Sequence, residues 1–134
     1  MNTLLVVEDE KLIRQGIVAM IRRSSVPVEE ILECRNGEEA LEILRKQRVD
    51  VMFTDIRMPK MDGIEMLKEL RAEGNDVSVI FLTAYSEFSY AQSALKLLAS
   101  DYLLKPFGDG ELEQAMNNAL EKRKRTQEKL ENRK

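Results

Sequence analysis

Five side chains that can do chemistry follow short apolar runs in this sequence. Glu8 and Asp9 come directly after the first run, Asp55 ends a central one, and Thr83 and Lys105 follow two later ones. Short apolar runs bounded by turn residues indicate buried strands. Because ligands bind at the carboxyl edge of open parallel α/β sheets, where the strand ends meet, we expect these five side chains to converge.

The predicted cluster of three acids requires a cation or protonation. Carboxylates about 4 Å apart repel by roughly 4 kcal/mol per pair at an effective dielectric of about 20. The chain has no histidine and one cysteine, Cys34, so a Ser-His-Asp or Cys-His apparatus and the usual zinc ligand sets are excluded. Oxygen ligands favour Mg²⁺, which also takes phosphate oxygens. A lysine and a hydroxyl opposite the metal would bind the remaining oxygens, so the site is suited to a phosphoryl group.

Apolar periodicity predicts the elements that carry these groups. Strands are predicted over 4–7, 31–34, 50–54, 77–82 and 101–104, with a helix after each. Five strands alternating with five helices predict an α/β fold with a doubly wound parallel sheet. The first helix is expected to bury a stripe formed by Leu12, Ile13, Gly16, Ile17, Met20 and Ile21. The helix between the fourth and fifth strands is expected to bury Phe88, Ala91, Ala94, Leu95 and Leu98.

Composition is that of one globular domain. The chain has 134 residues, of which 43% are hydrophobic, and no apolar run approaches the ~20 residues that span a bilayer. The N-terminus lacks a basic segment typical of a signal peptide, which predicts a cytoplasmic protein with no membrane association. The lone Cys34 excludes an internal disulfide and is expected to be a buried structural residue.

Charge is unevenly distributed along the chain. Residues 121–134 hold seven Lys or Arg and three Glu, a net charge of +4, so the formal −3 of the whole chain leaves −7 for residues 1–120. An acidic body repels phosphate backbones, which disfavours direct DNA binding by this segment. The basic run after residue 121 predicts a solvated helix end or a linker.

The ordered set of motifs resembles the receiver domain of two-component response regulators over residues 3 to about 120. The motifs are Glu8-Asp9, Asp55 with Met58-Pro59 and Asp62-Gly63, Thr83-Ala84 and Lys105-Pro106. The sequence from Thr83 to Phe88 and from Asp101 to Pro106 is most similar to that of regulators that carry an AraC-type DNA-binding domain. The resemblance implies a flavodoxin-like (CheY-like) five-stranded sheet with strand order 2-1-3-4-5.

The resemblance also implies roles for the site residues. Asp55 would accept a phosphoryl group from the phosphohistidine of a sensor histidine kinase, and Lys105 and Thr83 would hold the phosphoryl oxygens. The implied Mg²⁺ ligands are Glu8, Asp9, Asp55 and the backbone carbonyl of Arg57. Tyr102 matches the switch aromatic of the family. Glu8 stands where many members carry Asp, which is one methylene shorter.

Domain organisation and partners follow from the same resemblance. Residues 1–120 would form the receiver domain, and residues 121–134 a charged helical extension toward an output domain absent from this chain. DNA would be bound only through that domain. The receiver would be no enzyme beyond its own Mg²⁺-dependent phosphorylation and dephosphorylation.

A phosphorylated homodimer is expected through the surface formed by the fourth predicted helix, the fifth strand and the last helix. Tyr90 and Leu97 would supply apolar contacts on the fourth predicted helix. Opposite charges at the rim would fix the register of the two copies. The expected rim charges on the last helix are Glu113, Glu121, Lys122 and Arg123. We also expect the Lys105–Pro106 peptide to be cis, because the lysine must turn back over the crevice.

Two other classes of protein share parts of this pattern. A flavodoxin-like flavin binder needs a phosphate-cradling loop after the first strand, where this chain places Glu8-Asp9-Glu10. An aspartyl-phosphate phosphohydrolase needs a second acid two residues after Asp55, where Arg57 stands. Taken singly, the first acids also suit a helix N-terminus and Thr83 a helix cap. The complete set favours the receiver domain.

Overall fold

The strands form one parallel sheet with the predicted order. The computed structural model describes residues 2–84, 92 and 101–132, with side chains up to residue 125. The sheet order is β2-β1-β3-β4-β5, and every neighbouring pair is parallel. The strands are β1 (Asn2–Val7), β2 (Val28–Cys34), β3 (Val51–Asp55), β4 (Ser78–Ala84) and β5 (Asp101–Lys105). The predicted fold class and strand order are confirmed.

Helices cover both faces of this sheet. They are α1 (Lys11–Arg23), α2 (Gly37–Lys46), α3 (Gly63–Ala72) and a C-terminal helix (Asp109–Asn132). Side-chain caps begin two of them: Asn36 accepts a hydrogen bond from the amide of Glu39, and Asp62 accepts one from the amide of Glu65. Apart from residue 92, which is helical, the helix predicted from Phe88 to Leu98 lies outside the described residues.

Strand alternation divides the core into two layers. Along β1, Leu4 and Val6 pack with α1 and the C-terminal helix, whereas Leu5 and Val7 pack with α2 and α3. All four side chains are fully buried. A strand buried on both faces appears in sequence as a continuous apolar run, which is why β1, β3 and β4 could be predicted directly.

The edge strand β2 is longer than predicted. It begins at Val28, three residues before the predicted start, because Glu29 and Glu30 carry the ladder with exposed side chains. Their paired backbone is visible in the register, where Glu30 lies opposite Thr3. Charged residues are common on exposed edge strands, so a search for apolar runs misses the part of the strand that carries them.

The predicted buried stripe of α1 is partly wrong. Ile17 and Ile21 are buried as predicted, but Gly16 is exposed. Leu12 is 82% exposed and Ile13 is 38% exposed. These two residues lie in the first turn of α1, which begins beyond the carboxyl end of β1. The first turn of α1 therefore extends past the edge of the sheet, whereas the later turns of α1 lie over the sheet.

Arg123 fastens the C-terminal helix to the amino-terminal edge of the sheet. Its Nη1 donates to the backbone carbonyl of Asp76 at 2.9 Å. Its guanidinium also lies 3.9 Å from a carboxylate oxygen of Asp50 and 3.7 Å from one of Asp76. Asp50 in turn accepts a hydrogen bond from the amide of Thr3 at 2.8 Å. The helix is thus tied to Asp50, one residue before β3, and to Asp76, two residues before β4.

No helix among the described residues is both long enough and apolar enough to cross a membrane.

Candidate functional site

The predicted chemical groups lie at the carboxyl edge of the sheet because the strand ends are in register. Val7 of β1 is opposite Thr54 of β3, and Asp55 is opposite Leu82 of β4. On the other side of β4, Ala84 is opposite Lys105. The residues that end or follow these strands therefore meet at one edge.

Three acids form a cluster at this edge. Glu8, Asp9 and Asp55 each present a carboxylate oxygen, and these oxygens lie within 4.8 Å of one another. Glu8 is only 2% exposed, whereas Asp9 is exposed and Asp55 is intermediate. The Glu8 carboxylate also accepts a hydrogen bond from the amide of Asp9 at 2.9 Å. The cluster thus runs from a buried acid to one that faces solvent.

Lys105 reaches the cluster from β5, fifty residues along the chain from Asp55. Its Nζ lies 3.3 Å from both carboxylate oxygens of Asp55 and 3.9 Å from one oxygen of Glu8. The Lys105–Pro106 peptide that follows is cis, as predicted. One ammonium group bridging two acids offsets only part of the negative charge that the three carboxylates carry.

The surroundings of Glu8 disfavour the ionised form of its carboxyl. The pKa of its carboxyl is raised to about 8, chiefly by burial and also by the adjacent negative charge of Asp55, while Lys105 acts in the opposite direction. A positive ion beside Glu8 and Asp55 would favour the ionised form of both carboxyls. The donors of this cluster are all oxygens, which is the ligand chemistry of Mg²⁺, so the residues present fit this ion.

The loop after β3 carries the other predicted metal ligand. Arg57 lies two residues past Asp55, so its backbone belongs to the same edge of the sheet. The loop closes where the amide of Gly63 donates to the carbonyl of Ile56 at 2.7 Å. A Cβ on Gly63 would lie 2.5 Å from the carbonyl oxygen of Asp55 and 2.9 Å from the ring of Phe81. Only glycine allows this close approach of α3 to the end of β3.

Thr83 and Tyr102 occupy neighbouring strands on one face of the sheet. Thr83 is 1% exposed, and its hydroxyl donates to the carbonyl of Ala84 at 3.1 Å. Tyr102 is half-buried and lies opposite Phe81 in the register. Because side chains alternate along a strand, Phe81 and Thr83 share a face with Tyr102. Thr83 is one position beyond the partner of Asp55 on β4, Leu82.

Sequence analysis missed one residue that contacts the acidic edge. Arg14 of α1 donates from Nη1 to the carbonyl of Glu8 at 2.7 Å and from Nε to Glu33 of β2 at 3.2 Å. Its side chain is only 13% exposed. A basic residue near a helix N-terminus is disfavoured by the helix dipole. This unfavourable placement was the one feature of the sequence that could have indicated a specific partner for Arg14.

The fold and the acid-lysine edge together define the receiver-domain class. A comparison with family models agrees, because residues 4–117 match the response regulator receiver domain. The chain belongs to this family.

Individual relatives give a consistent result. The chain is 32% identical over 125 residues to the transcriptional regulatory protein YesN of Bacillus subtilis, covering 93% of this chain and 34% of YesN. The solved structure of the receiver domain of AraT, a response regulator from Geobacillus stearothermophilus, has 39% identity and a TM-score of 0.80, with 94% and 98% coverage. A two-component transcriptional regulator AraC from Clostridium phytofermentans has 33% identity and a TM-score of 0.81, with 96% and 99% coverage. The chain thus spans about a third of YesN.

Proposed function

We propose that Asp55 is the phosphoacceptor of this receiver domain. The observation that carries the proposal is the contact of Lys105 Nζ with both Asp55 oxygens, at 3.3 Å, beside two further acids. Asp55 is 18% exposed, so a phosphodonor can reach it, while the lysine is held at the position where phosphoryl oxygens would arrive. A preorganised positive charge of this kind stabilises charge that develops during transfer.

In the proposed transfer, a carboxylate oxygen of Asp55 attacks the phosphorus atom of a sensor kinase's phosphohistidine. The new O–P bond forms as the P–N bond breaks, and the electron pair returns to the imidazole, which takes up a proton from water. Lys105 binds an oxygen of the transferred group. Glu8, Asp9, Asp55 and the carbonyl of Arg57 would hold Mg²⁺, which would supply positive charge to the site when bound.

The direct experiment is intact-mass measurement after incubation with acetyl phosphate. We expect one phosphoryl group per chain with Mg²⁺ and none when the divalent cation is removed with EDTA. Failure to gain mass in the presence of Mg²⁺ would reject Asp55 as a phosphoacceptor. Equal gain with and without Mg²⁺ would instead reject the metal site and leave the acceptor role in place.

We further propose the domain organisation and partners expected from the sequence. Residues 1–120 form the receiver domain, and residues 121–134 form a linker toward a DNA-binding output domain in a cytoplasmic regulator. A sensor histidine kinase is the phosphodonor. Support comes from the transcriptional relatives, since YesN is about three times as long as the part that this chain matches.

We propose that Thr83 and Tyr102 couple phosphorylation to the output surface. Before phosphorylation the Thr83 hydroxyl is bound to the carbonyl of Ala84. The phosphorylated Asp55 would carry a charge of about −2 and new acceptor oxygens, which draw this hydroxyl away. The vacated space lies on the face that Tyr102 shares, so the ring can move inward.

Thr83→Ala is expected to keep the phosphoacceptor but lose the coupling. A hydrogen bond to a charged group contributes about 1.5 to 3 kcal/mol. Dimerisation of the phosphorylated form should therefore weaken about tenfold or more. Thr83→Ser retains a hydroxyl and should dimerise as the wild type does. Sedimentation of the phosphorylated proteins measures the effect, and equal dimerisation of Thr83→Ala and wild type would disprove the coupling.

Phosphorylation-driven dimerisation itself is the next prediction. With a beryllofluoride mimic of the phosphoryl group, we expect a two-fold dimer by sedimentation, and weak or no association without it. Tyr90→Asp and Leu97→Asp should abolish the dimer; both residues lie outside the described part of the chain. A monomer in both states would reject dimerisation, and a dimer that is unaffected by both substitutions would place the interface elsewhere.

We propose a narrower charged rim for that dimer than the sequence predicts. Glu113 accepts hydrogen bonds from the amide and hydroxyl of Ser25, and Arg123 is 17% exposed in its contacts with Asp50 and Asp76. A partner would therefore have to compete with these contacts. Glu121 and Lys122 are exposed and remain in the proposed rim.

A further inference from the structure

Arg14 connects three elements near the acidic cluster. It belongs to α1, donates to the backbone carbonyl of Glu8 at the end of β1, and pairs with Glu33 of β2. The 2.7 Å contact with the carbonyl is the shorter of the two, and the arginine side chain is largely buried. A guanidinium can hold two partners at fixed relative positions because its donors form a rigid, planar fork.

The backbone of Glu8 is consequently fixed from both sides. Its amide donates to the carbonyl of Cys34 at 3.1 Å, and its carbonyl accepts from Arg14. The Glu8 side chain then accepts from the amide of Asp9. These contacts leave the turn between β1 and α1 little freedom, and this turn carries two of the three clustered acids.

Neither the helix dipole nor the ion pair with Glu33 explains why an arginine is favourable at position 14. It lies one turn from the N-terminus of α1, where the helix dipole disfavours a positive charge. Its pairing with Glu33 is partly exposed, and exposed pairs contribute about 0 to 1 kcal/mol. The contact that distinguishes Arg14 from an ordinary surface arginine is therefore the one with the Glu8 carbonyl.

We infer that Arg14 is a positioning residue for divalent cation binding: it fixes the end of β1 so that Glu8 and Asp9 present their carboxylates beside Asp55. This inference rests on the proposed Mg²⁺ site. Groups that orient metal ligands from the next layer typically change metal affinity about 10- to 100-fold when removed. Because Arg14 holds a ligand's backbone, we expect about a tenfold loss.

The sign of the effect separates positioning from simple electrostatics. Removing a positive charge near three acids makes the local potential more negative, which by itself strengthens binding of a cation. Loss of positioning weakens it. Weaker Mg²⁺ binding by Arg14→Ala therefore cannot come from the charge change alone, whereas unchanged or tighter binding is what electrostatics predicts.

The test is a Mg²⁺ titration of the unphosphorylated protein, followed by the amide NMR signals of residues 8–10, with thermal unfolding measured in parallel. We expect Arg14→Ala to bind Mg²⁺ about tenfold more weakly. Arg14→Lys keeps a donor that can reach the Glu8 carbonyl and should recover part of the affinity. Arg35→Ala is the matched control, since it removes an equal charge from an exposed pair with Glu39 in the first turn after β2.

The outcomes distinguish the inference from the function on which it rests. Wild-type affinity in Arg14→Ala would overturn the positioning role, even if its melting temperature falls. If Arg14→Ala does not fold, Arg14→Lys decides the question. Wild-type Mg²⁺ affinity in Arg14→Lys would count against a positioning role for the two contacts of Arg14, and a partial loss of affinity would support it. Absence of saturable shifts in the wild type would overturn the Mg²⁺ site and this inference with it, but not phosphorylation of Asp55.

Discussion

Replacing Asp55 with asparagine is expected to abolish phosphorylation completely. Asp55→Asn preserves the shape of the side chain and its place at the end of β3, but the amide lacks the nucleophilic carboxylate oxygen. With acetyl phosphate and Mg²⁺, the intact mass of this variant should stay unchanged while the wild type gains one phosphoryl group. The contact with Lys105 would also lose its ionic character.

The control for this prediction is an acid outside the cluster. Asp109 pairs with Arg23 on the surface and is more than half exposed. Asp109→Asn removes the same charge as Asp55→Asn and should be phosphorylated as the wild type is. If Asp55→Asn still gained the phosphoryl group, another residue would be the acceptor, and peptide mapping of the adduct would identify it.

Gly63→Ala is expected to be the most disruptive single-methyl change near the site. The added Cβ would meet the backbone carbonyl of Asp55 at 2.5 Å and the Phe81 ring at 2.9 Å. Backbone cannot yield as a flexible side-chain end can, and overpacking of this kind costs about 1 to 3 kcal/mol. We expect a loss of about 3 kcal/mol in the free energy of unfolding, measured by urea denaturation, together with slower phosphorylation.

Gly16→Ala provides the matched control. Gly16 is exposed within α1, and a Cβ there would meet no heavy atom within 4 Å. Alanine is about 0.5 to 1 kcal/mol more favourable than glycine inside a helix, so this variant should be more stable than the wild type. Equal effects of the two substitutions would show that helix propensity, and not the contact with Asp55, decides the outcome at Gly63.

The sheet and the meeting of distant side chains could be predicted from sequence because both follow from strand ends. Apolar runs mark β1, β3 and β4, and parallel pairing then brings their carboxyl ends to one edge. Asp55 and Lys105 are fifty residues apart, yet each ends a strand of the sheet. Their contact therefore required no knowledge of side-chain packing.

Contacts that depend on where an element ends could not be predicted in this way. The apolar stripe of α1 includes Leu12 and Ile13, but periodicity does not reveal that the first turn of α1 begins past the end of β1. Arg14 was missed for a related reason, since its principal partner is a backbone carbonyl. Every residue carries a carbonyl, so sequence gives no indication of which one is contacted.

The close approach at Gly63 and the hydroxyl contact of Thr83 show the same limit at shorter range. The Asp62-Gly63 pair predicts a turn, but not that α3 comes within one methyl group of the Asp55 carbonyl. Thr83 could be placed at the end of β4, whereas the acceptor of its hydroxyl, the carbonyl of Ala84, depends on the side-chain rotamer. Position was predictable, and orientation was not.

The attachment of Arg123 holds the C-terminal helix at one point, and the helix extends beyond that point. The point of attachment is the contact of Arg123 with Asp50 and Asp76, and the helix continues to Asn132, about 14 Å farther at 1.5 Å per residue. Asp50 directly precedes β3, the strand that ends at Asp55. A displacement of β3 along its own axis would therefore move Asp50 and act on the C-terminal helix through Arg123.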